Sequence, residues 1–312
     1  MIVIASSRPV LPHTGICLDT NDSVQVARRQ PARAVPTFLT LCSDCMPCTA
    51  RESQRGMLTT ERAAIIRIEI RLRRMRALLI LHDHICTPGF VGERLTDRGL
   101  DLVLHQVVTE DHFLSPNVEA EFPDPKEFDL VIPMGAPWSV YDHSAIGSWV
   151  PTELNMLHDA HDHQVPVLGI CFGGQMLAAA HGGSVRRSRA PEVGWSNIVS
   201  DDESLVPSGT WFQWHYDQWQ LPQDAREVAR NDNSSQAFVL GRNLAVQFHP
   251  EMTSEILASW LATGGTGEVD QLGIDLEELV RETAKRDATN RDRAHRLVDQ
   301  FLERFLEPEV KS

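Results

Sequence analysis

Along residues 1–62 the apolar positions follow no sustained period, and Pro, Ser, Thr and Arg are frequent. A period-2 alternation appears in I-I-R-I-E-I-R-L-R-R (65–74) and suggests a strand without a clear partner. From Met75 the pattern becomes regular. M-R-A-L-L-I-L-H-D-H reads as a buried first strand, followed by a helix over 91–99 and a strand at L-V-L-H-Q-V. The apolar run F-D-L-V-I-P (128–133) predicts another strand and leads into M-G-A-P-W-S-V-Y-D. A helix over 149–163 places Leu154, Leu157 and Ala160 on one side. The strand V-P-V-L-G-I (165–170) ends at Cys171, and the short helix Q-M-L-A-A-A-H stops at Gly182-Gly183. Residues 184–250 change to short β-like segments, the last being N-L-A-V-Q-F-H-P. Helix returns at 253–263, and a charged amphipathic helix over 275–307 is expected to pack one face on the domain.

Strands alternating with helices predict an α/β fold of three layers, its central, mainly parallel sheet covered on both faces. The pattern divides the chain into residues 75–312, one α/β domain including the terminal helix, and residues 1–74. The latter read as a disordered extension or an over-long reading of the gene, with Met75 a plausible start; an organellar transit peptide is a weaker alternative because the segment also carries acids.

Charge sharpens this division. The net charge is −14 over 312 residues, which argues against a nucleic-acid partner or an anionic membrane, both of which favour a basic face. Residues 1–74 hold 11 Arg against 6 acidic residues, while the remainder holds 18 basic and 37 acidic. No apolar run is long enough to span a membrane and no secretory signal is evident, so the expected location is the cytoplasm. Four of six cysteines (Cys17, Cys42, Cys45, Cys48) fall in the first segment. The two others, Cys86 and Cys171, fit a reducing compartment without disulfides. C-S-D-C-M-P-C (42–48) has ligand-like spacing but no fourth cysteine, so it predicts an unstructured stretch, not a metal site. His82, Asp83 and His84 are expected to line a pocket mouth, and His158, His161 and His163 to be solvated. No cofactor and no metal is expected.

The candidate chemistry lies in V-P-V-L-G-I-C-F-G-G-Q-M-L (165–177). A cysteine used only for packing does not need Gly169, Gly173 and Gly174 around it. A nucleophile at a strand tip, entering a helix through a strained turn, does need small neighbours. The helix N-terminus favours the thiolate, and the Phe172 amide would face an oxyanion. A base is available in A-V-Q-F-H-P-E-M, where His249 and Glu251 follow an apolar strand, at the edge where sites of open α/β sheets lie. Their spacing lets the carboxylate orient the imidazole.

These residues carry a family resemblance. G-I-C-F-G-G-Q resembles the G-x-C-x-G-x-Q elbow of class I glutamine amidotransferases, and Q-F-H-P-E their His-Pro-Glu element, about 78 residues further on. M-G-A-P-W-S-V-Y-D (134–142), E-V-G-W (192–195) and F-Q-W-H-Y-D-Q-W-Q-L-P (212–222) are similar to the branch related to the amidotransferase domain of GMP synthase. The resemblance implies that Cys171 attacks the side-chain amide of glutamine, giving a γ-glutamyl thioester and ammonia. His249 would move the protons and Glu251 would orient it. Amides of Phe172 and near Gly135 would hold the oxyanion. Gln175, Ala136, His215 and Asp217 would bind the substrate or shape its pocket. Where the family usually has Gly-Gly-Pro, this chain has Gly135-Ala136-Pro137; if position 136 needs positive φ, alanine strains the loop by on the order of 1 kcal/mol.

Such enzymes hand ammonia to a second domain or subunit, and this chain lacks the S-G-G-x-D-S loop of a synthase half. A separate ammonia-accepting synthase subunit is therefore one expected partner. The alternatives are hydrolysis of a γ-glutamyl peptide or amide by the chain alone, and a catalytically silent binding or regulatory subunit.

Overall fold

The computed structural model describes residues 74–306. The cysteine run at 42–48 and the alternation at 65–73 lie outside the described residues.

Five strands run parallel in the order β2 (Asp101–Gln106), β1 (Arg76–Leu81), β3 (Leu130–Pro133), β4 (Val167–Ile170) and β9 (Asn243–Val246). Beyond β9 the sheet continues antiparallel through β8 (Ser235–Leu240), β7 (Arg226–Arg230), β5 (Ser184–Ser200) and β6 (Gly209–Gln220). The sheet is thus mixed, with a parallel centre. The short segments expected over 184–250 instead include a 17-residue and a 12-residue strand. Half-buried and exposed positions mix along β5 while β6 alternates buried and half-buried ones, and a register shift between Arg187 and Glu192 interrupts the pairing.

Burial on both faces explains the apolar runs of the central strands. Ala77, Leu79 and Leu81 of β1 face a core formed with α1 (Gly89–Asp97) and α7 (Leu276–Phe305), through Val91, Leu297 and Phe301. Leu78 and Ile80 face the opposite core, with α3 (Val150–Asp162) and α4 (Phe172–Ala180), through Leu157 and Met176. Each fully buried leucine contributes about 1.5–3 kcal/mol. The predicted helices at 91–99, 149–163 and 275–307 all exist within about two residues at each end, except that α4 begins directly after Cys171. A four-residue helix, α2 (His143–Ile146), precedes α3.

α7 is docked by more than its apolar stripe. Asp299 accepts two hydrogen bonds from Arg94 (2.9 and 2.8 Å) and one from Arg98 (2.8 Å), joining α7 to α1. Asn290 donates to the Met252 carbonyl at 2.9 Å, and Ser254 donates to Asp287 at 2.7 Å. These contacts fix the segment that follows β9. That segment forms α5 (Ser254–Trp260), a π-turn (Leu261–Gly265) and α6 (Thr266–Gln271), which share a small core of Phe212, Met252, Leu257 and Val269. Among the described residues no helix is long and apolar enough to cross a membrane.

Candidate active site

The parallel strands bring their carboxyl ends to one edge, where polar elements gather. β4 ends at Cys171, β9 leads to His249 and Glu251, β1 to His82 and Asp83, and β3 to Gly135. These residues, apart from His82, line one cavity of about 170 Å³, as do Ala136, Phe172, Gln175, His215 and Asp217. Every residue given a catalytic, oxyanion or substrate role by the resemblance therefore borders the same space.

Cys171 is at φ 51° and ψ −108°, and Gln164 is the only other described non-glycine residue with positive φ. Backbone strain of this kind persists only where surroundings over-determine it. The Cys171 amide donates to Val246 O at 2.8 Å and the Gly173 amide to Met134 O at 3.0 Å. The turn is thus pinned to β9 on one side and to the β3 exit loop on the other. Close approach explains its glycines: a Cβ at Gly173 would lie 2.0 Å from Pro133 O, and one at Gly169 would lie 2.7 Å from Gly173 O. Phe172 opens α4, so its amide belongs to the helical turn whose donors have no partner inside the helix.

His249 and Glu251 are both 2 % exposed, and His249 Nδ1 lies 2.7 Å from Glu251 Oε1. Nε2 is buried without a hydrogen-bond partner among the described residues and is the ring nitrogen left for another group. The proximity of the elements is measured at Gly135. A methyl there would lie 3.1 Å from His249 Cε1 and 3.9 Å from Cys171 Cβ. Burial alone would lower the basicity of His249, but the neighbouring Cys171 and the hydrogen-bonded Glu251 carboxylate hold its pKa well above 6.5. Trp260 packs edge-on to the imidazole with ring centres 4.9 Å apart. Cys86, the other described thiol in this cavity, is pushed well up by burial, so it stays protonated.

Gln175 donates to Asp217 O (3.4 Å) and to Gln247 Oε1 (3.3 Å), while Gln247 Nε2 lies 3.6 Å from Cys171 Sγ. Gln247 is a site residue that sequence reasoning misses, although it opens the same Q-F-H-P-E stretch. The Asp217 carboxylate accepts from Ser139 Oγ at 2.5 Å and Tyr141 OH at 2.8 Å, tying β6 to the loop after β3. His215 is buried and its pKa falls to about 4, chiefly through desolvation, so it is neutral. Its Nδ1 bonds the Asp217 carbonyl at 3.0 Å. Ala136 keeps an ordinary negative φ, so the strain expected for alanine in that loop is absent.

His82 and His84 depart from expectation, since neither lines the pocket. His84 packs edge-on to Phe113, ring centres 4.9 Å apart. His82 is fully buried. Its Nδ1 lies 3.3 Å from the Gly135 carbonyl and its Nε2 3.0 Å from the equally buried Glu153. Its ring also packs edge-on to Phe172, centres 4.8 Å apart. The His82–Glu153 pair therefore supports both Gly135 and Phe172 from beneath. Glu153 had a readable signal: with Leu157 and Ala160 it occupies the buried stripe of α3, where a lone carboxylate requires a partner. His158 and His163 are exposed as expected, whereas His161 is half-buried and lies 2.9 Å from Asn243 Nδ2.

Against burial, which lowers it, Glu153 and the Gly135 carbonyl raise the His82 pKa above 6.5. A raised histidine pKa stabilises the fold fully below the unfolded-state value, and that contribution fades as pH climbs through the folded-state value. Glu153→Gln is thus expected to cost on the order of 3 kcal/mol in acid. The deficit relative to wild type should be widest below pH 6.5 and narrow above it. Urea unfolding of both proteins at several pH values reads this difference.

Comparison with known proteins agrees with this architecture. The family model described as glutamine amidotransferase class-I matches residues 93–262. The chain is 35% identical over 162 residues to a glutamine-hydrolyzing GMP synthase subunit of Sulfolobus acidocaldarius, covering 47% of this chain and 83% of the relative. It is 29% identical over 154 residues to "Gamma-glutamyl peptidase 5" of Arabidopsis thaliana, covering 45% and 61%. A solved glutamine amidotransferase from Thermotoga maritima superposes with TM-score 0.64 at 24% identity, over 74% of this chain and 99% of that one, a likeness of fold. With an elbow cysteine, a His-Pro-Glu strand end and this sheet order, the chain belongs to the class I glutamine amidotransferases.

Proposed function

We propose that the chain hydrolyses the side-chain amide of glutamine through Cys171 and releases ammonia for a separate synthase subunit. The observation that carries this reading is the strained cysteine at the end of β4 in one cavity with the buried His249–Glu251 pair. Cys171 attacks the amide carbon as a thiolate, with the proton held on His249. The oxyanion accepts hydrogen bonds from the amides of Phe172 and Gly135. His249 then protonates the leaving nitrogen, ammonia departs, and a γ-glutamyl thioester remains on Cys171. Water, deprotonated by His249, attacks the thioester; glutamate leaves and the thiol is restored. Glu251 keeps Nδ1 protonated and the ring aligned, and hydrogen bonds between thiol and imidazole tighten when substrate is bound.

On this reading residues 75–312 form the amidotransferase domain. Its ammonia would pass to a partner of the kind implied by the name of the Sulfolobus relative, which designates one component of a synthase. Ammonia release from glutamine by the purified chain, with and without a candidate synthase subunit, tests the proposal. His249→Ala is expected to lower kcat by on the order of a thousandfold, and Glu251→Ala by less, because the imidazole survives in the second variant. Activity that persists in His249→Ala would contradict the assignment.

A second reading is hydrolysis of γ-glutamyl peptides or amides, which the same residues would perform with an amine in place of ammonia. The likeness to a γ-glutamyl peptidase favours it. Turnover of γ-glutamyl amides well above that of glutamine would select it. A catalytically silent subunit draws its support from Ala136, and the ordinary φ at that position removes that support.

A further inference from the structure

The cavity contains one arginine or lysine among its described lining residues, Arg187 of β5. The neighbouring Arg186 and Arg189, exposed like Arg187, do not line it. Arg187 forms no ion pair among the described residues; its guanidinium carbon lies 4.5 Å from the centre of the Tyr216 ring. The hydroxyl of the same tyrosine donates to Glu268 Oε2 at 3.0 Å, and Trp214 Nε1 donates to that oxygen at 3.0 Å. Both bonds fall on Oε2, so Oε1 is engaged by neither.

One aromatic ring therefore carries a cation on its face and a carboxylate at its edge, and the two charges do not neutralise each other. Of the other carboxylates of the cavity, Asp217 accepts from two hydroxyls, Glu251 is tied to His249 at the catalytic end, and Asp83 accepts from the amides of Ile85 and Cys86 while burial raises its pKa. Arg187 and Glu268 are the opposed charges that share one aromatic ring on the cavity wall. A cation stacked on an aromatic ring keeps its edge donors free for a carboxylate. A carboxylate held by two neutral donors keeps its charge for an ammonium.

We infer that Arg187, Tyr216 and Glu268 form a recognition site for the zwitterionic headgroup of an α-amino acid at the mouth of the Cys171 cavity. Arg187 takes the α-carboxylate, Glu268 takes the α-ammonium, and Tyr216 fixes the spacing between them. The inference rests on the amide-hydrolase reading for its kinetic test. Two sources supply such a headgroup: the α-centre of glutamine itself, or the amino acid on the amine side of a γ-glutamyl dipeptide.

The experiment measures kcat and KM of wild type, Arg187→Ala, Glu268→Gln and a control, Arg189→Ala. The substrates are glutamine, glutaramic acid (no α-ammonium), 4-aminobutanamide (no α-carboxylate), a γ-glutamyl dipeptide and a γ-glutamyl alkylamide. If the headgroup is that of glutamine, Arg187→Ala raises KM for glutamine about tenfold at nearly constant kcat and has no effect on 4-aminobutanamide. Glu268→Gln behaves likewise and has no effect on glutaramic acid. If the headgroup belongs to the leaving amino acid, both penalties appear with the dipeptide and are absent with glutamine and the alkylamide. Equal penalties on all substrates, or none on any, would overturn the inference. Calorimetric binding of glutamine and of the dipeptide to the Cys171→Ala chain, with and without Arg187→Ala, separates this outcome from failure of the amide chemistry. Weakening by Arg187→Ala supports the site even without turnover, and unchanged binding or no binding of either ligand rejects it.

Discussion

Cys171→Ala is expected to reduce ammonia release from glutamine by at least about a thousandfold while the protein remains folded. The sulfur is the group that the elbow between β4 and α4 presents to the cavity. Cys86 borders the same cavity, but burial keeps it protonated, so it does not replace the lost thiolate. The fold should survive because alanine removes one atom and leaves the Cys171 amide bonded to Val246. The strain at φ 51° is unchanged, since alanine meets the same steric limits as cysteine. Steady-state assays alongside circular dichroism and thermal unfolding read the two halves of this expectation. A loss of activity with a loss of fold would carry no mechanistic weight; a loss with an unchanged melting profile would.

The largest expected effect on stability comes two residues later, from Gly173→Ala. The added methyl would lie 2.0 Å from the carbonyl oxygen of Pro133 and 2.5 Å from its carbonyl carbon. The clash is with backbone, so no side-chain rotation relieves it. Either α4 moves away from β3 or the loop after β3 shifts, and both break the hydrogen bond from the Gly173 amide to Met134. Overpacking ordinarily costs about 1–3 kcal/mol. With the lost hydrogen bond, a cost of about 3 kcal/mol or more is expected. For a domain of this size that corresponds to a fall of roughly 6–12 °C in Tm. Activity should fall further than the folded fraction, because the movement separates Cys171 from Gly135. Thermal unfolding combined with active-site titration of the folded fraction checks both. A variant as stable as wild type would show that the elbow is not packed as described.

Most of the elements from Met75 onward are readable because their side chains obey one period at a time. β1 is apolar at nearly every position since both of its faces are covered, and α7 shows its stripe because its other face meets water. The β5–β6 pair is less legible. The mixed half-buried and exposed positions of β5 and the polar residues at buried positions of β6 give no continuous apolar run, and the register shift at Arg187–Glu192 breaks the alternation. The elbow is legible because strain demands unusual residues: three glycines near a cysteine have a steric reason that local sequence displays.

What sequence does not display is what arises from tertiary pairing. His82 looks like a polar residue at a strand end, yet its partner Glu153 lies 71 positions away on α3. Glu268 lies on α6, between the helices expected from the sequence, and only the fold brings it to Trp214 and Tyr216. The position of Ala136 shows the converse. A missing glycine suggests strain, whereas the backbone there needs no positive φ.

Covalent catalysis by Cys171 is read most plainly by mixing the protein with glutamine, quenching in acid within the turnover time, and mapping the modified peptide by mass spectrometry. A γ-glutamyl adduct is expected on the peptide carrying Cys171, released by hydroxylamine and absent in Cys171→Ala. Glutamine turnover with no adduct on that peptide, or with the adduct on Cys86 instead, would refute the thioester route.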